Sequence, residues 1–148
     1  MVSVMVFKGG PVLMLDGKGR ITVPARWREL LMANVNGQLV VTKHRAGCLS
    51  MFPLPVWEKF ETELLALPQG QDKWRRFFQG NAAEVEIDSA SRVLIPPDLR
   101  DWAGLKDTVK FMGMGSHFEL WDLAKYTTVE DELRAEDLPE SLGNVVIR

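Results

Sequence analysis

The sequence predicts a β-rich α+β fold, a single pseudo-twofold barrel built from two tandem repeats and covered by connecting helices. Three observations point to it. A block beginning at Asp16, DGKGRITVPARWREL, matches one beginning at Asp88, DSASRVLIPPDLRDW, at an offset of 72. A second block, LSMFPL from Leu49, matches FELWDL from Phe118 at an offset of 69. Both blocks sit among short apolar, β-branched runs punctuated by Gly, Asp and Pro. Order, spacing and residue class persist across both, which identifies a duplicated unit of about 45–50 residues. The change of offset implies one three-residue deletion in the intervening loop. Four short strands and one small helix cannot enclose a core alone, so each copy must bury the apolar face of the other.

Each copy reads alike. An apolar strand, Pro11 to Leu15 in the first and Glu84 to Ile87 in the second, enters a turn of small polar residues. Gly17 and Gly19 supply positive φ there, and Asp16 can accept backbone N–H bonds across the turn, as can Asp88 in the second copy. Ile21 to Val23 is the return strand. Pro24 and Pro96 stand where a helix begins, the position at which a missing N–H costs least. Trp27, Leu30 and Leu31, and likewise Leu99, Trp102 and Ala103, recur at helical spacing, and Gly104 marks a helix stop. Gln38–Thr42 with Cys48–Phe52, and Thr108–Met112 with His117–Trp121, close the copies as strand pairs.

The predicted organisation is a first repeat over 7–54, connecting helices over 55–81, a second repeat over 82–126 and an acidic C-terminal helix and tail over 127–148. In the connecting segment Val56, Trp57, Phe60, Leu64 and Leu67 mark one helix face between Pro55 and Pro68. Trp74, Phe77 and Phe78 follow on a second short helix. Its interleaved Lys73, Arg75 and Arg76 read as a solvated face.

Composition excludes several classes. The chain has 148 residues, 46% of them hydrophobic and 26% charged, which excludes wholesale disorder. No apolar run reaches the roughly 18–20 residues of a membrane span, and the apolar N-terminus lacks the marks of a secretory leader. A cytoplasmic protein is expected. The lone Cys48 excludes an internal disulfide and a multi-cysteine metal site. There is no P-loop, G-x-G-x-x-G or H-E-x-x-H. Cys48 and His117 fall in the same slot of the two copies, but no third orienting residue accompanies them. The expectation is therefore no enzyme, no cofactor, no metal, no membrane and no small-molecule substrate. The formal net charge of -2 argues against a generic polyanion binder, yet it hides an asymmetry. Up to Gly70 there are 8 basic and 5 acidic residues, net +3; beyond it, 10 and 15, net -5.

The D-x-x-G-R turn of the first copy (D-x-x-x-R in both), its apolar-x-apolar-Pro strand and the Arg-bearing helix after it resemble the SpoVT/AbrB-type swapped-hairpin barrel. Two copies in one chain, with FKGG at Phe7, LDGKGRITVPARWR from Leu15, GCLSMFPLPVWE from Gly47, DSASRVLIPPDLR from Asp88 and FELWD from Phe118, are similar to the MraZ family of bacterial transcriptional regulators. That resemblance implies double-stranded DNA as partner and assembly with itself into a ring-shaped homo-oligomer. It further implies direct repeats upstream of the protein's own division and cell-wall operon as the target, usually repressed, and hence a place at the nucleoid. Arg20 and, through the repeat, Arg92 become the expected DNA-contacting residues, with Lys18 and Lys8 beside them. Two departures stand out: Ser91 where the family often has Gly, and Lys8 where Arg is common. A guanidinium on a tight loop can pair with guanine O6 and N7 or grip a phosphate, and Lys18 suits a phosphate. Salt bridges from Arg20 to Asp16 and from Arg92 to Asp88 are the competing structural role. Two alternatives outside DNA binding are an antitoxin-like module and a structural oligomer acting through a protein partner.

Overall fold

The structure, a computed structural model, describes residues 5–143; the ends of the chain, including the last five residues of the expected acidic tail, lie outside the described residues. The first copy runs β1 (Val12–Met14), β2 (Arg20–Thr22), α1 (Ala25–Val35), β3 (Gln38–Lys43), β4 (Leu49–Pro53) and α2 (Leu54–Leu65). A 3-10 turn, Gln69–Gln71, then leads to α3 (Asp72–Phe78). The second copy repeats the order as β5 (Ala83–Glu86), β6 (Arg92–Leu94), α4 (Pro97–Ala103), β7 (Thr108–Gly113), β8 (Phe118–Asp122) and α5 (Leu123–Leu133), and α6 (Glu140–Gly143) follows. Pro24 and Pro96 precede α1 and α4 with the same φ of -54° and ψ of 141°.

The copies interlock rather than stack. Six strands form one sheet in the order β1-β7-β8-β4-β3-β5, and β2 pairs with β6 as a separate ribbon. Thus β1 is hydrogen-bonded to the second copy and β5 to the first. Every ribbon pair also joins the two copies. The register places a pseudo-dyad through two residue pairs. Ile21 faces Val93 in the ribbon, and Ser50 faces Glu119 in the sheet. Each of these pairs joins residues that occupy the same position in the two copies. The ribbon lies across the open side of the sheet, so Ile21 and Val93 join the core formed by Leu39, Leu49, Met51, Val109, Phe111 and Leu120.

Three details differ from the sequence reading. The offset falls in two steps rather than in one deletion. Fifteen residues separate β2 from β3 against thirteen between β6 and β7, because α4 is shorter than α1, and the β7–β8 hairpin loop is one residue shorter than its counterpart. The duplication also runs on into α5, which leaves β8 as α2 leaves β4. Trp57 Nε1 donates to Glu61 at 3.3 Å, and Tyr126 Oη donates to Glu130 at 3.1 Å in the matching place. Finally, Arg75 is not on a wet face. Its guanidinium donates to the carbonyls of Leu64 (3.2 Å), Leu67 (2.7 Å) and Pro68 (3.1 Å), capping the end of α2 where backbone acceptors lack helical partners.

Helical spacing overstates burial on the short helices. Trp27, Leu31, Leu99 and Ala103 are buried, but Leu30 is 41% and Trp102 37% exposed. Trp102 instead meets Phe77 edge-on and carries the Lys43 ammonium over its ring. The heart of the barrel is aromatic: the Phe118 ring centroid lies 4.3 Å from Phe7, 4.8 Å from Phe111 and 5.0 Å from Trp27. Phe118→Ala should lower the unfolding free energy by about 3–5 kcal/mol, read by denaturant titration, because transfer loss and an uncollapsed cavity add.

Candidate nucleic-acid interface

The two D-x-x-x-R turns have the same construction. Asp16 Oδ1 accepts the N–H groups of Lys18 and Arg20, both at 2.9 Å, while Gly19 N–H closes the turn on the Asp16 carbonyl at 3.0 Å. Asp88 Oδ1 likewise accepts from Ala90 and Arg92 at 2.9 Å, and Ser91 N–H closes on its carbonyl at 2.9 Å. Each turn is then sewn to the other copy. The Gly19 carbonyl accepts Ile95 N–H at 2.9 Å and the Ser91 carbonyl accepts Val23 N–H at 2.8 Å.

Each arginine is held by one edge only. Arg20 Nε donates to Asp16 Oδ2 at 2.8 Å, and Arg92 Nε donates to Asp88 Oδ2 at 3.2 Å. Among the described residues neither guanidinium has an acceptor at its Nη groups. The intramolecular salt bridge and an outward contact are therefore compatible, since the carboxylate fixes the plane and leaves two parallel donors free. The Arg20 backbone N–H is the largest of the hydrogen bonds that hold the Asp16 carboxyl down at about 2, and the Arg92 N–H lowers Asp88 in the same way. A depressed carboxylate contributes above its ordinary pKa near 3.8, and the contribution of Asp16 is lost as pH falls through about 2.

The ribbon sets where these arginines point. Ile21 and Val93 face the core, so the strand alternation sends Arg20, Thr22, Arg92 and Leu94 outward together. Arg20 is paired with Leu94 and Arg92 with Thr22. Two residues along and one strand across separate the arginine Cα atoms by about 8–9 Å. Both D-x-x-x-R arginines thus share one face. Lys18 is exposed on the turn itself. Gly17, expected at positive φ, does not adopt it and has no atom near the place of its Cβ; of the two turn glycines only Gly19 is left-handed, with a φ of 86°. Lys8 is not brought to the Arg20 turn. It runs beside Gly113 on β7, whereas Leu15, at the start of that turn, bonds Asp107 at the other end of the same strand. About 20 Å of strand lies between those ends. The Lys8 carbonyl instead receives Arg26 Nη2 at 3.5 Å.

Sequence reasoning missed the residues that distinguish the turns. Arg100 of α4 lies against the first turn: its Nε donates to the Ile95 carbonyl at 2.8 Å and its guanidinium covers Gly19. A Cβ at Gly19 would overlap that guanidinium. In the other copy the equivalent position is Ser91, which carries a Cβ at a φ of 66°. Its equivalent arginine, Arg28, has a buried Nε with no hydrogen-bond partner. The signal was present in the 72-residue register, where Gly19 and Arg100 align with Ser91 and Arg28. Ser91→Gly should raise stability by about 0.5–1 kcal/mol in thermal unfolding. Relief of about 1–2 kcal/mol of left-handed strain is partly offset by the greater freedom of glycine in the unfolded chain. A loss of stability would show that the serine hydroxyl holds the turn.

A second polar group lies on the outer side of the sheet, at the dyad. His44, Cys48 and Glu119 offer atoms within 4.8 Å of one another. His44 Nδ1 accepts the Ala46 N–H at 3.0 Å, and its Nε2 lies 3.3 Å from Glu119 Oε2. Glu119 Oε1 accepts Trp121 Nε1–H at 2.9 Å. His44 Nδ1 and Glu119 Oε1 are thus each engaged by a protein donor, the Ala46 N–H and the Trp121 indole N–H. His117 does not complete the group with Cys48; it stacks on Phe52 and contacts Ser116 Oγ at 3.1 Å. Burial, reinforced by the Glu119 charge, pushes the Cys48 thiol up to about 12. Native protein at pH 8 should therefore resist iodoacetamide and react only once unfolded, as intact mass would record.

The turn sequences and their duplicated setting match known proteins. The model of the MraZ protein family matches the chain twice, over residues 6–79 and 77–144. A protein of Methylibium petroleiphilum named transcriptional regulator MraZ is 52% identical over 140 residues, covering 95% of this chain and 96% of its own. Proteins of the same name from Burkholderia mallei and Burkholderia thailandensis are each 50% identical over 139 residues, covering 94% of this chain and 98% of theirs. With both copies matched and half the residues identical along nearly the full length, the chain belongs to the MraZ family.

Proposed function

We propose that this chain is a sequence-specific DNA-binding transcriptional regulator that represses its own division and cell-wall operon. One observation carries the reading. Arg20 and Arg92 stand on a single outward face, each buttressed through Nε with its Nη edge free. A two-stranded ribbon fits the major groove, where such an edge can pair with guanine O6 and N7. Arg20 and Arg92 would read bases, Lys18 would take a phosphate of the same groove, and Lys8, farther off, a flanking phosphate. The names of the relatives support a regulatory role, and no helix among the described residues is long and apolar enough to cross a membrane.

Two arginine turns per chain are too few for tight binding by a protein of net charge -2. Self-assembly into a ring would multiply them over direct repeats, raising avidity by roughly 10²–10⁴ where repeat spacing matches subunit spacing. The surface around α5 supports such assembly. Trp57 and Leu64 of α2 are buried beneath Leu67 and Phe78, whereas Leu133 of α5 is 60% and Val129 39% exposed.

Fluorescence anisotropy tests the reading at fixed, near-physiological salt, with the fragment upstream of the protein's own operon against the same fragment shuffled. Preference for the native fragment is expected, with Arg20→Ala losing roughly tenfold or more, about 1–3 kcal/mol per contact, while assembly mass stays constant. Equal affinity for both fragments, or an Arg20→Ala variant that binds like wild type, would contradict it.

A further inference from the structure

The ribbon is symmetric in backbone and asymmetric in chemistry. The dyad that exchanges Arg20 with Arg92 also exchanges Thr22 with Leu94, because each is the second residue after its arginine and each is cross-paired with the other copy's arginine. At one end the outward pair is Arg20–Leu94; at the other it is Thr22–Arg92. Leu94 is 50% exposed although Val93 and Ile95 on either side are buried. Directly paired side chains have Cβ atoms about 4.5–5.5 Å apart, so whatever the Arg20 guanidinium meets, Leu94 meets its neighbour.

We infer that Leu94 is a specificity-determining residue that packs on a thymine C5-methyl group beside the base pair contacted by Arg20. This rests on the proposed DNA reading and deepens it. In the major groove a thymine differs from its neighbours by an apolar methyl, which an aliphatic side chain covers and a polar one does not seek. Thr22, at the matching place, can turn either a hydroxyl or a methyl to a base edge and so discriminates less than the wholly aliphatic Leu94. One subunit therefore reads a directional element. Subunits repeated around a ring then require elements that all run the same way, which is a physical reason for direct rather than inverted repeats.

The test uses the full-length protein and two versions of the upstream fragment, one made with dTTP and one with dUTP, which deletes every thymine methyl and keeps the pairing. Anisotropy is read for wild type, Leu94→Ala and Arg20→Ala at one salt concentration, with assembly mass and thermal unfolding recorded for each. Wild type should bind the uracil fragment roughly fourfold or more weakly, the worth of one buried methyl. Leu94→Ala should bind both fragments alike, at about the affinity of wild type for the uracil fragment. Equal binding of both fragments by wild type, or an undiminished methyl effect in Leu94→Ala, overturns the inference. So does a changed assembly mass in Leu94→Ala, which would make Leu94 a subunit contact. If Arg20→Ala still matters in those cases, the DNA reading stands without it. If the native fragment is no better than its shuffled form and Arg20→Ala has no effect, the DNA reading itself has failed.

Discussion

The pairing of β2 with β6 is the constraint on which the rest of the molecule depends. Neither strand has a partner within its own copy, and each is only three residues long. Alone, such a strand would leave backbone donors and acceptors unmet and one apolar side chain exposed. Paired across the dyad, Ile21 and Val93 enter the core and the facing backbone edges of the two strands satisfy each other. The same pairing draws β1 to the second copy and β5 to the first, so neither half can complete its sheet without the other.

That pairing also decides what the surface can do. Once Ile21 and Val93 point inward, their neighbours must point out, and the arginines are those neighbours. The turn before each strand supplies the second requirement, a fixed guanidinium. One carboxylate oxygen takes two backbone N–H groups and the other takes Nε, so Asp16 and Asp88 organise both the turn and the side chain that leaves it. A flexible arginine would lose rotamer freedom on binding; a buttressed one has lost most of it already. On the proposed reading, stability and recognition share Asp16, Arg20, Asp88 and Arg92.

Much of this was legible in the sequence because duplication provides its own alignment. The two offsets, the prolines before α1 and α4 and the D-x-x-x-R turns located the strands and the arginines. Cross-copy pairing was legible only as a necessity of size, since the register of three-residue strands depends on tertiary packing. The contrast between Gly19 and Ser91 was visible, but its partner was not: Arg100 and Arg28 sit on short helices, and which way those side chains turn depends on packing against the other copy. Arg75 misled in the same way, because capping three carbonyls depends on how the chain folds back after Pro68. The continuation of the repeat into α5 was hidden by divergence. Phe60 and Leu64 are covered, whereas Val129 and Leu133 in the matching places are exposed.

In the proposed function one ribbon, built jointly by both copies, forms the DNA-facing surface. Amide hydrogen exchange of the intact assembly with and without the upstream duplex measures that directly. Added protection is expected in two separate stretches, residues 16–22 and 88–94, rising together with duplex occupancy. Protection confined to one of these turns, or found on α2, α3 or α5 while both turns exchange unchanged, would contradict it.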